Sequence, residues 1–341
     1  GATAILQELW SSQKMDGLIA LGGANGTLMA CEIMKAFPIG IPKLVVSVVP
    51  ACNPRENAGT SDIILMNSVT DLCLTRLTKQ IMSNAAAAMA GMLLQGRPVA
   101  EDEGILQVGA SMLGLTQGCV LGAQAMLEAG DQELLVFHSN GIGGAALEEL
   151  ISKGAVDAAL DLTTNEVGNH MLGGAFDAGP DRLQGAAVRG IPQVVAPGAV
   201  DFVNFWGKSI PSAFQDRQFI FYNVQNTLMR TTADENLRLG HLFAEKLNRS
   251  TNKVKVLVPL HGFSGNDIAG GAHGVTMEGK PAGPWRNPKA DKAFVDGLKS
   301  MADSAVIDIW EIEAHINDKA FSRAVVEAFD AQVSEVQGRT T

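Results

Sequence analysis

The stretch Gly17–Thr27 reads GLIALGGANGT, and Leu134–Gly144 reads LLVFHSNGIGG. Each passes from a short apolar run through glycines into a helix-forming run. An apolar run of that length followed by such a turn is the strand-to-helix junction of an α/β fold. Glycine lets the backbone turn tightly and approach a ligand closely. The first amides of the helix lack intrahelical partners, and the helix dipole favours negative charge there. The pattern predicts two small anion sites in one chain.

Outward from these junctions the alternation continues. The first part reads as a helix tail over Thr3–Ser12, a strand at Gly17–Leu21 and a helix at Leu28–Phe37 closed by Pro38. Lys43–Val49 (KLVVSVV) is almost continuously β-branched, as a parallel strand buried on both faces requires. A polar loop over Pro50–Ser61, a short strand at Ile63–Met66 and a long helix from Leu72 to Leu94 follow. Gln95–Gly104 (QGRPVAEDEG) reads as a linker, which sets a first domain at residues 1–100 and a second at 101–341.

In the second part the predicted strands are Ile105–Met112, Leu134–Phe137, Ala158–Leu162, Gln193–Ala196, Lys253–Pro259 and Val306–Glu313. Helices are predicted at Cys119–Ala129, Ala145–Lys153, Asp181–Arg189, Ala233–Asn248, Lys289–Ala302 and Asp318–Val336. Thr232 with Glu235 makes a capping box, and Asn287 before Pro288 makes a cap followed by proline at the first helical position. Strands alternating with crossover helices predict mainly parallel, doubly wound sheets.

The 341 residues suit about two domains. Hydrophobic residues at 46% against 18% charged supply sizeable cores, and 37 glycines with few aromatics suit many strand-to-helix turns. The net charge of −10 and the lack of a basic run argue against nucleic acid as a partner. A small anionic ligand is compatible with that charge, because backbone amides and one Lys or Arg can hold it locally. Cys31, Cys52, Cys73 and Cys119 have neither metal nor redox spacing, so free thiols in a reducing cytoplasm are expected. No apolar run approaches the roughly 20 residues of a bilayer span, so no membrane partner is expected. No transition-metal motif is present, whereas magnesium needs only one or two carboxylates beside ligand oxygens. The chain opens on Gly1 in what reads as a helix already under way, which predicts further residues upstream.

The candidate site residues fall at strand ends. Gly22, Gly23, Asn25, Gly26 and Thr27 form neither a Walker loop nor a dinucleotide fingerprint. They read as an ordinary turn or as a ligand turn to which Asn25 and Thr27 add donors. Asp62, in Gly59–Asp62 (GTSD), takes a ribose hydroxyl or a metal ion, or else caps the next element. His138 reads as an acid–base group or as a strand-end ring bonded to a carbonyl. Gly141, Gly143 and Gly144 read as a cradle for an oxyanion or phosphate. In Asp161–Glu166 (DLTTNE), Thr163 and Thr164 cap a helix or hold an anion, and Glu166 reads as a base. Asp201 and Asn204 sit among apolar neighbours and must find partners, Asn204 by a buried structural hydrogen bond. His261, Ser264 and Asp267 look like a hydrolase set but are too close in sequence, and no G-x-S-x-G elbow exists. His315, Asn317 and Asp318 are expected to cap the last helix.

LGGANGT, PIGIPKLVVS, GTSDI, FHSNGIGGAALEEL, LDLTTNE, GGAFDAGPDRL, GIPQVVAPGAVDFVNF, NTLMRTTADEN and HINDKAF occur in this order. On these segments the chain resembles the family of ATP-binding domains typified by the tobamovirus-resistance protein of tomato, otherwise uncharacterised in bacteria, fungi and plants. The resemblance implies two Rossmann-like α/β domains, ATP binding and dimer formation, with a strand-and-helix segment upstream of Gly1. Ser47 and Thr60 join Gly22–Thr27 and Asp62 as candidate nucleotide contacts, with Asp62 taking a ribose hydroxyl or a bridging magnesium. The chain departs from the family pattern in Val48, Pro50, Ala51 and Cys52 after Ser47, in Asn57 where Tyr is usual, and in Ala145 where a basic residue is common. The expected function is binding of ATP or a similar nucleotide by a homo-oligomer. The rival is an enzyme acting on a small carboxylate or phosphorylated metabolite between the domains, with His138 and Glu166 as acid and base. A protein that binds only a protein partner is the third reading.

Overall fold

The structure is a computed structural model that describes residues 1–48, 54–70, 75–96, 104–130 and 132–337. Pro50, Ala51, Cys52, Cys73, the first residues of the helix predicted from Leu72 and most of the predicted linker lie outside the described residues. The chain divides into two compact units, 1–102 and 103–341.

The first unit runs α1 (Ala2–Ser11), β1 (Leu18–Gly22), α2 (Ala24–Met34), β2 (Lys43–Ser47), α3 (Pro54–Ala58), β3 (Ile64–Asn67) and α4 (Arg76–Gln95). Its three strands are parallel in the order β1-β2-β3. Gly22 lies opposite Ser47, and Ser47 opposite Asn67, so these three residues mark the carboxyl edge. Every residue of β2 is buried, as its β-branched run predicts. Successive side chains alternate faces. Val45 packs with Leu18, Cys31 and Met34 beneath α2, while Leu44 and Val46 pack with Ile81, Ala85 and Met89 of α4. Each such burial contributes about 1.5–3 kcal/mol.

The second unit holds a six-stranded parallel sheet containing all six predicted strands. These are β4 (Leu106–Met112), β5 (Gln132–His138), β6 (Ala158–Thr163), β7 (Gln193–Gly198), β11 (Val254–Pro259) and β14 (Ile307–Ile312), in the order β14-β11-β7-β6-β4-β5. One face carries Val108, Leu160 and Val194 against Phe321, Val325 and Phe329 of α11 (Lys319–Gln337), with α5 (Gln117–Leu127) beside it. The other carries Val195, Val256 and Val258 against Phe243 of α9 (Ala233–Leu247) and Phe294 of α10 (Pro288–Met301). Leu147 and Ile151 of α6 (Ile142–Lys153) cover Ala159. The expected caps are present: Thr232 and Glu235 bond reciprocally at α9, and the Asn287 side chain accepts from Ala290 at α10.

Between β4 and β6 the sheet changes direction of growth, because β5 adds on one side of β4 and β6 on the other. The carboxyl end of such a switch point leaves a crevice. Here the crevice meets a second sheet that the sequence patterns do not announce. Strands β8 (Phe202–Trp206), β9 (Phe219–Phe221) and β10 (Asn226–Arg230) follow β7, and β12 (His273–Val275) and β13 (Pro281–Pro284) follow β11. They assemble antiparallel as β13-β12-β9-β10-β8. Phe202 and Leu228 of this sheet pack with Leu113, which follows β4 directly, so the sheet roofs the crevice.

The polar loop expected over Pro50–Ser61 contains the short helix α3 (Pro54–Ala58). The helix expected over Asp181–Arg189 shortens to α8 (Gly185–Arg189), because the Arg182 side chain and the Leu183 and Gly185 amides are tied to Glu148. Asp161–Glu166 (DLTTNE) closes β6 and opens α7 (Asn165–Leu172), a helix absent from the predicted set, with Thr164 at its N-cap. Among the described residues no helix is long and apolar enough to cross a membrane.

Candidate functional site

The second glycine turn is occupied by the protein itself. The Gly141 and Gly144 amides donate to Oε1 of Glu166 at 2.7 and 3.1 Å. The Ile142 and Gly143 amides donate to the Asn140 side chain at 3.2 and 3.3 Å. Oε2 of Glu166 accepts from Arg182 Nε at 2.7 Å, and Arg182 also meets Asp161 at 2.6 Å and Glu148 at 3.1 Å. Burial opposes charge on Arg182, but Asp161, Glu166 and Glu148 outweigh it and hold the guanidinium protonated. Burial likewise pushes the Glu148 carboxyl up, with Arg182 opposing. Only glycine fits at 144, where a Cβ would stand 1.8 Å from Glu166 Oε2.

This corrects the expected cradle: Gly141 and Gly144 bind the chain's own carboxylate, and Glu166 is buried with both oxygens bonded instead of being poised as a base. Thr163 and Thr164 are also committed internally. The Thr163 hydroxyl pairs with that of Thr116 at 2.7 Å, and Thr164 Oγ1 donates to the Ala196 carbonyl at 2.8 Å.

His138 differs. It is exposed at the end of β5, and its ring has no hydrogen-bond partner among the described residues. It lines a cavity of about 290 Å³ with Leu113, Gly114 and Leu115 from the segment after β4. Phe176, Phe202, Asn204, Tyr222, Asn223, Asn226 and Leu228 complete the wall. The cavity therefore sits at the carboxyl ends of β4 and β5, at the edge of the switch-point crevice and under the antiparallel sheet. Asn204 is buried and hydrogen-bonded, as its apolar neighbours predict. Its Oδ1 accepts from Asn165 and Asn169 at 3.4 Å each, and its Nδ2 donates to Asn226 at 3.1 Å. Sequence reasoning missed Phe176, Tyr222, Asn223 and Asn226, which lie on short strands and turns without a periodic signal.

In the first unit, α2 starts directly at the carboxyl edge. The Ala24, Asn25 and Gly26 amides have no partner among the described residues, and Gly23 supplies no side-chain cap. Gly22 is required by closeness, since a Cβ there would stand 2.9 Å from the Gly26 Cα. Thr27 does not offer its hydroxyl to a ligand: Oγ1 donates to the Gly23 carbonyl at 2.9 Å and pairs with Ser47, both residues being buried.

Asp62 and Thr60 do not join this turn. Asp62 Oδ1 lies 2.5 Å from Nζ of buried Lys43, and Oδ2 accepts from the Gly40 amide at 2.7 Å. Lys43 opens β2 whereas Ser47 closes it. The carbonyl-to-amino length of that strand is about 13 Å at ~3.3 Å per residue. Helix α3 has returned the chain to the amino edge before Thr60, so these two residues face away from the glycines. Burial works against ionised Asp62, but Lys43 and the Gly40 amide hold its carboxyl below the usual range.

The nominal hydrolase residues form no triad. Ser264 donates to Asp201 Oδ2 at 2.9 Å, as does Trp285 Nε1, and His261 pairs with Glu313 at 3.1 Å on the surface. Arg230 reaches Asp291 at 2.9 Å and Asp267 at 3.5 Å. Burial, with repulsion from Asp267 added and Arg230 opposing, pushes the Asp201 carboxyl to about 6 and that of Asp291 to about 8. His315, Asn317 and Asp318 do order the approach to α11, with Asp318 accepting the His315 amide and its carbonyl the Phe321 amide. Cys31 and Cys119 are free and buried, and burial pushes the Cys119 thiol to about 12.

Comparison with known proteins gives a consistent placement. Residues 1–98 match the N-terminal domain of an uncharacterised protein family, UPF0261, and residues 106–333 match its C-terminal domain. A UPF0261 protein of Clostridium tetani is 38% identical over 96% of this chain and 78% of its own length. The ToMV resistance protein Tm-1(GCR237) and the ToMV susceptible protein tm-1(GCR26) of Solanum lycopersicum are each 35% identical over 93% of this chain. The chain spans only 41% of the length of either tomato protein. With both domain models matched in order along nearly its whole length, the chain belongs to the UPF0261 family.

Proposed function

We propose that this chain is a small-molecule-binding protein whose ligand sits in the switch-point crevice of the second unit. One observation carries the reading: the cavity there is walled by apolar side chains on one part and by unpartnered polar groups on another. Its size is that of a small-metabolite pocket, and its place is where open α/β sheets take ligands. His138 gives the seat an acid–base group, so turnover of a bound metabolite is compatible with it. Glu166 plays no part in that chemistry.

The test is a metabolite panel read by thermal shift. Ligands that stabilise the wild type lose their effect in Asn223→Trp, which fills the exposed rim of the cavity. A panel with no hit, or hits indifferent to Asn223→Trp, defeats the reading.

A second reading has its own support. The three unpartnered amides at Ala24–Gly26 suit a phosphate of ATP or a similar nucleotide, with or without magnesium. Helix-end contacts with charge contribute about 0.3–1 kcal/mol each when exposed. Micromolar affinity needs about 8 kcal/mol, so contacts beyond this turn must supply most of it. Calorimetric titration with Mg-ATP decides it, and absence of heat at millimolar nucleotide removes it. The homodimer implied by the family resemblance stands with this reading and is checked by sedimentation.

A further inference from the structure

The side chains around the crevice are polarised. The N and O of an asparagine amide have almost the same shape, so which end faces a cavity follows from partners with only one role. A backbone amide only donates. Oδ1 of Asn169 accepts the Phe176 and Asn204 backbone amides at 3.2 and 3.0 Å, which makes its other atom Nδ2. That Nδ2 faces Asn204, so Asn204 must present Oδ1 there and Nδ2 on its far side. The Asn204 Nδ2 faces Asn226, so Asn226 must answer with Oδ1. The Nδ2 of Asn226 is left without a partner among the described residues.

Asn223 is set the same way. Its Oδ1 accepts the backbone amides of Gln225 and Asn226 at 2.8 Å each, and its Nδ2 is left over. Tyr222 and His138 line the cavity together with Asn223 and Asn226. Every side-chain amide oxygen on that wall is already engaged, and no Asp, Glu, Lys or Arg lines it among the described residues.

A wall whose side-chain amides offer only donors selects a ligand by its head group. Resting on the reading that this crevice is the ligand seat, we propose that it takes a small carboxylate with an aryl or branched-alkyl body: the carboxylate accepts from Asn223, Asn226 and Tyr222, and the body lies against Phe176, Phe202 and Leu228. An ammonium or amine head meets only the Tyr222 oxygen and one nitrogen of the His138 ring as acceptors, and is disfavoured. A head that both donates and accepts falls between.

The test uses three probes that share a phenyl body: phenylacetate, phenylacetamide and phenethylamine. Trp206 packs edge-on to Phe176 with ring centroids 5.8 Å apart, so its emission reports occupancy, with Trp206→Phe as the background. The expected order is acid, then amide, then amine, with at least tenfold between the first and last. Asn226→Asp keeps the shape and the bond from Asn204 but turns the free donor into an anionic acceptor. It should weaken phenylacetate at least tenfold and improve phenethylamine. Asn223→Asp, on an exposed turn, makes the same exchange should the first variant fail to fold. Amine binding as tight as acid binding overturns the proposal, as does an order unchanged in both variants. If none of the three binds while the metabolite panel yields a ligand blocked by Asn223→Trp, the head-group class falls and the seat stands. If the panel also yields none, both fall.

Discussion

In the second unit the amides of the glycine turn end on a carboxylate of the same chain; in the first, the corresponding amides at Ala24–Gly26 end on nothing among the described residues. The two turns share a local pattern, and the deciding residue, Glu166, lies 22 to 25 positions downstream of the glycines it fills. A strand-glycine-helix junction thus specifies that an anion is wanted, and not whether a ligand or a side chain supplies it. Arg182 adds the reason Glu166 stays: the carboxylate neutralises a fully buried guanidinium while satisfying the turn.

The largest effect expected is at the filled turn. Glu166→Ala takes one partner from buried Arg182 and should cost about 3–5 kcal/mol in denaturant unfolding. Formate should restore part of the loss by occupying the emptied amides. A loss under about 1 kcal/mol would mean that the carboxylate is incidental to the turn.

Asp62→Asn sharpens the contrast between the two edges of the first unit. Because Asp62 is about a third exposed, its pair with Lys43 should contribute about 1 kcal/mol. The folded-state carboxyl is held below its unfolded value, so that stabilisation is present above the unfolded carboxylate range and is lost as pH falls through the folded one. Wild type and variant should therefore differ at neutral pH and converge in acid. Response to Mg-ATP should be unchanged, and a weakened response would return Asp62 to the ligand.

The smallest effect is at the open turn. Asn25→Asp places an anion in the first turn of α2, which should stabilise the unit by about 0.3–1 kcal/mol. The same charge should weaken any phosphate ligand severalfold. Opposite signs in the melt and in the titration mark the amides as a ligand seat; matching indifference marks them as solvent-facing.

What was legible in the sequence is what local chemistry decides. KLVVS announces a strand buried on both faces, Thr232 with Glu235 announces a helix start, and the alternation of runs announces the parallel sheets. Asn204 could be read as a buried, bonded amide because its neighbours left it no water. The position of Asp62 could not be read, since it depends on α3 carrying the chain back to the other edge. Nor could the roofing sheet, whose strands are three to five residues long, with prolines at both ends of β13. The donor at Asn226 becomes visible only when Asn204, from another strand, fixes which way its amide points, and that at Asn223 only when the Gln225 and Asn226 amides do so.

Six of the cavity's walls, Phe202, Asn204, Tyr222, Asn223, Asn226 and Leu228, belong to one excursion over residues 199–231, which leaves after β7 and rejoins the main architecture at α9. Its ladder with the other inserted hairpin is one residue pair, Val275 with Phe219, and the Gln218 side chain adds bonds to the Gly283 and Pro284 carbonyls. Guest preference is thereby concentrated in one contiguous excursion, bonded to its surroundings through Asp201, Asn204 and Arg230, while the register of the parallel strands is set elsewhere.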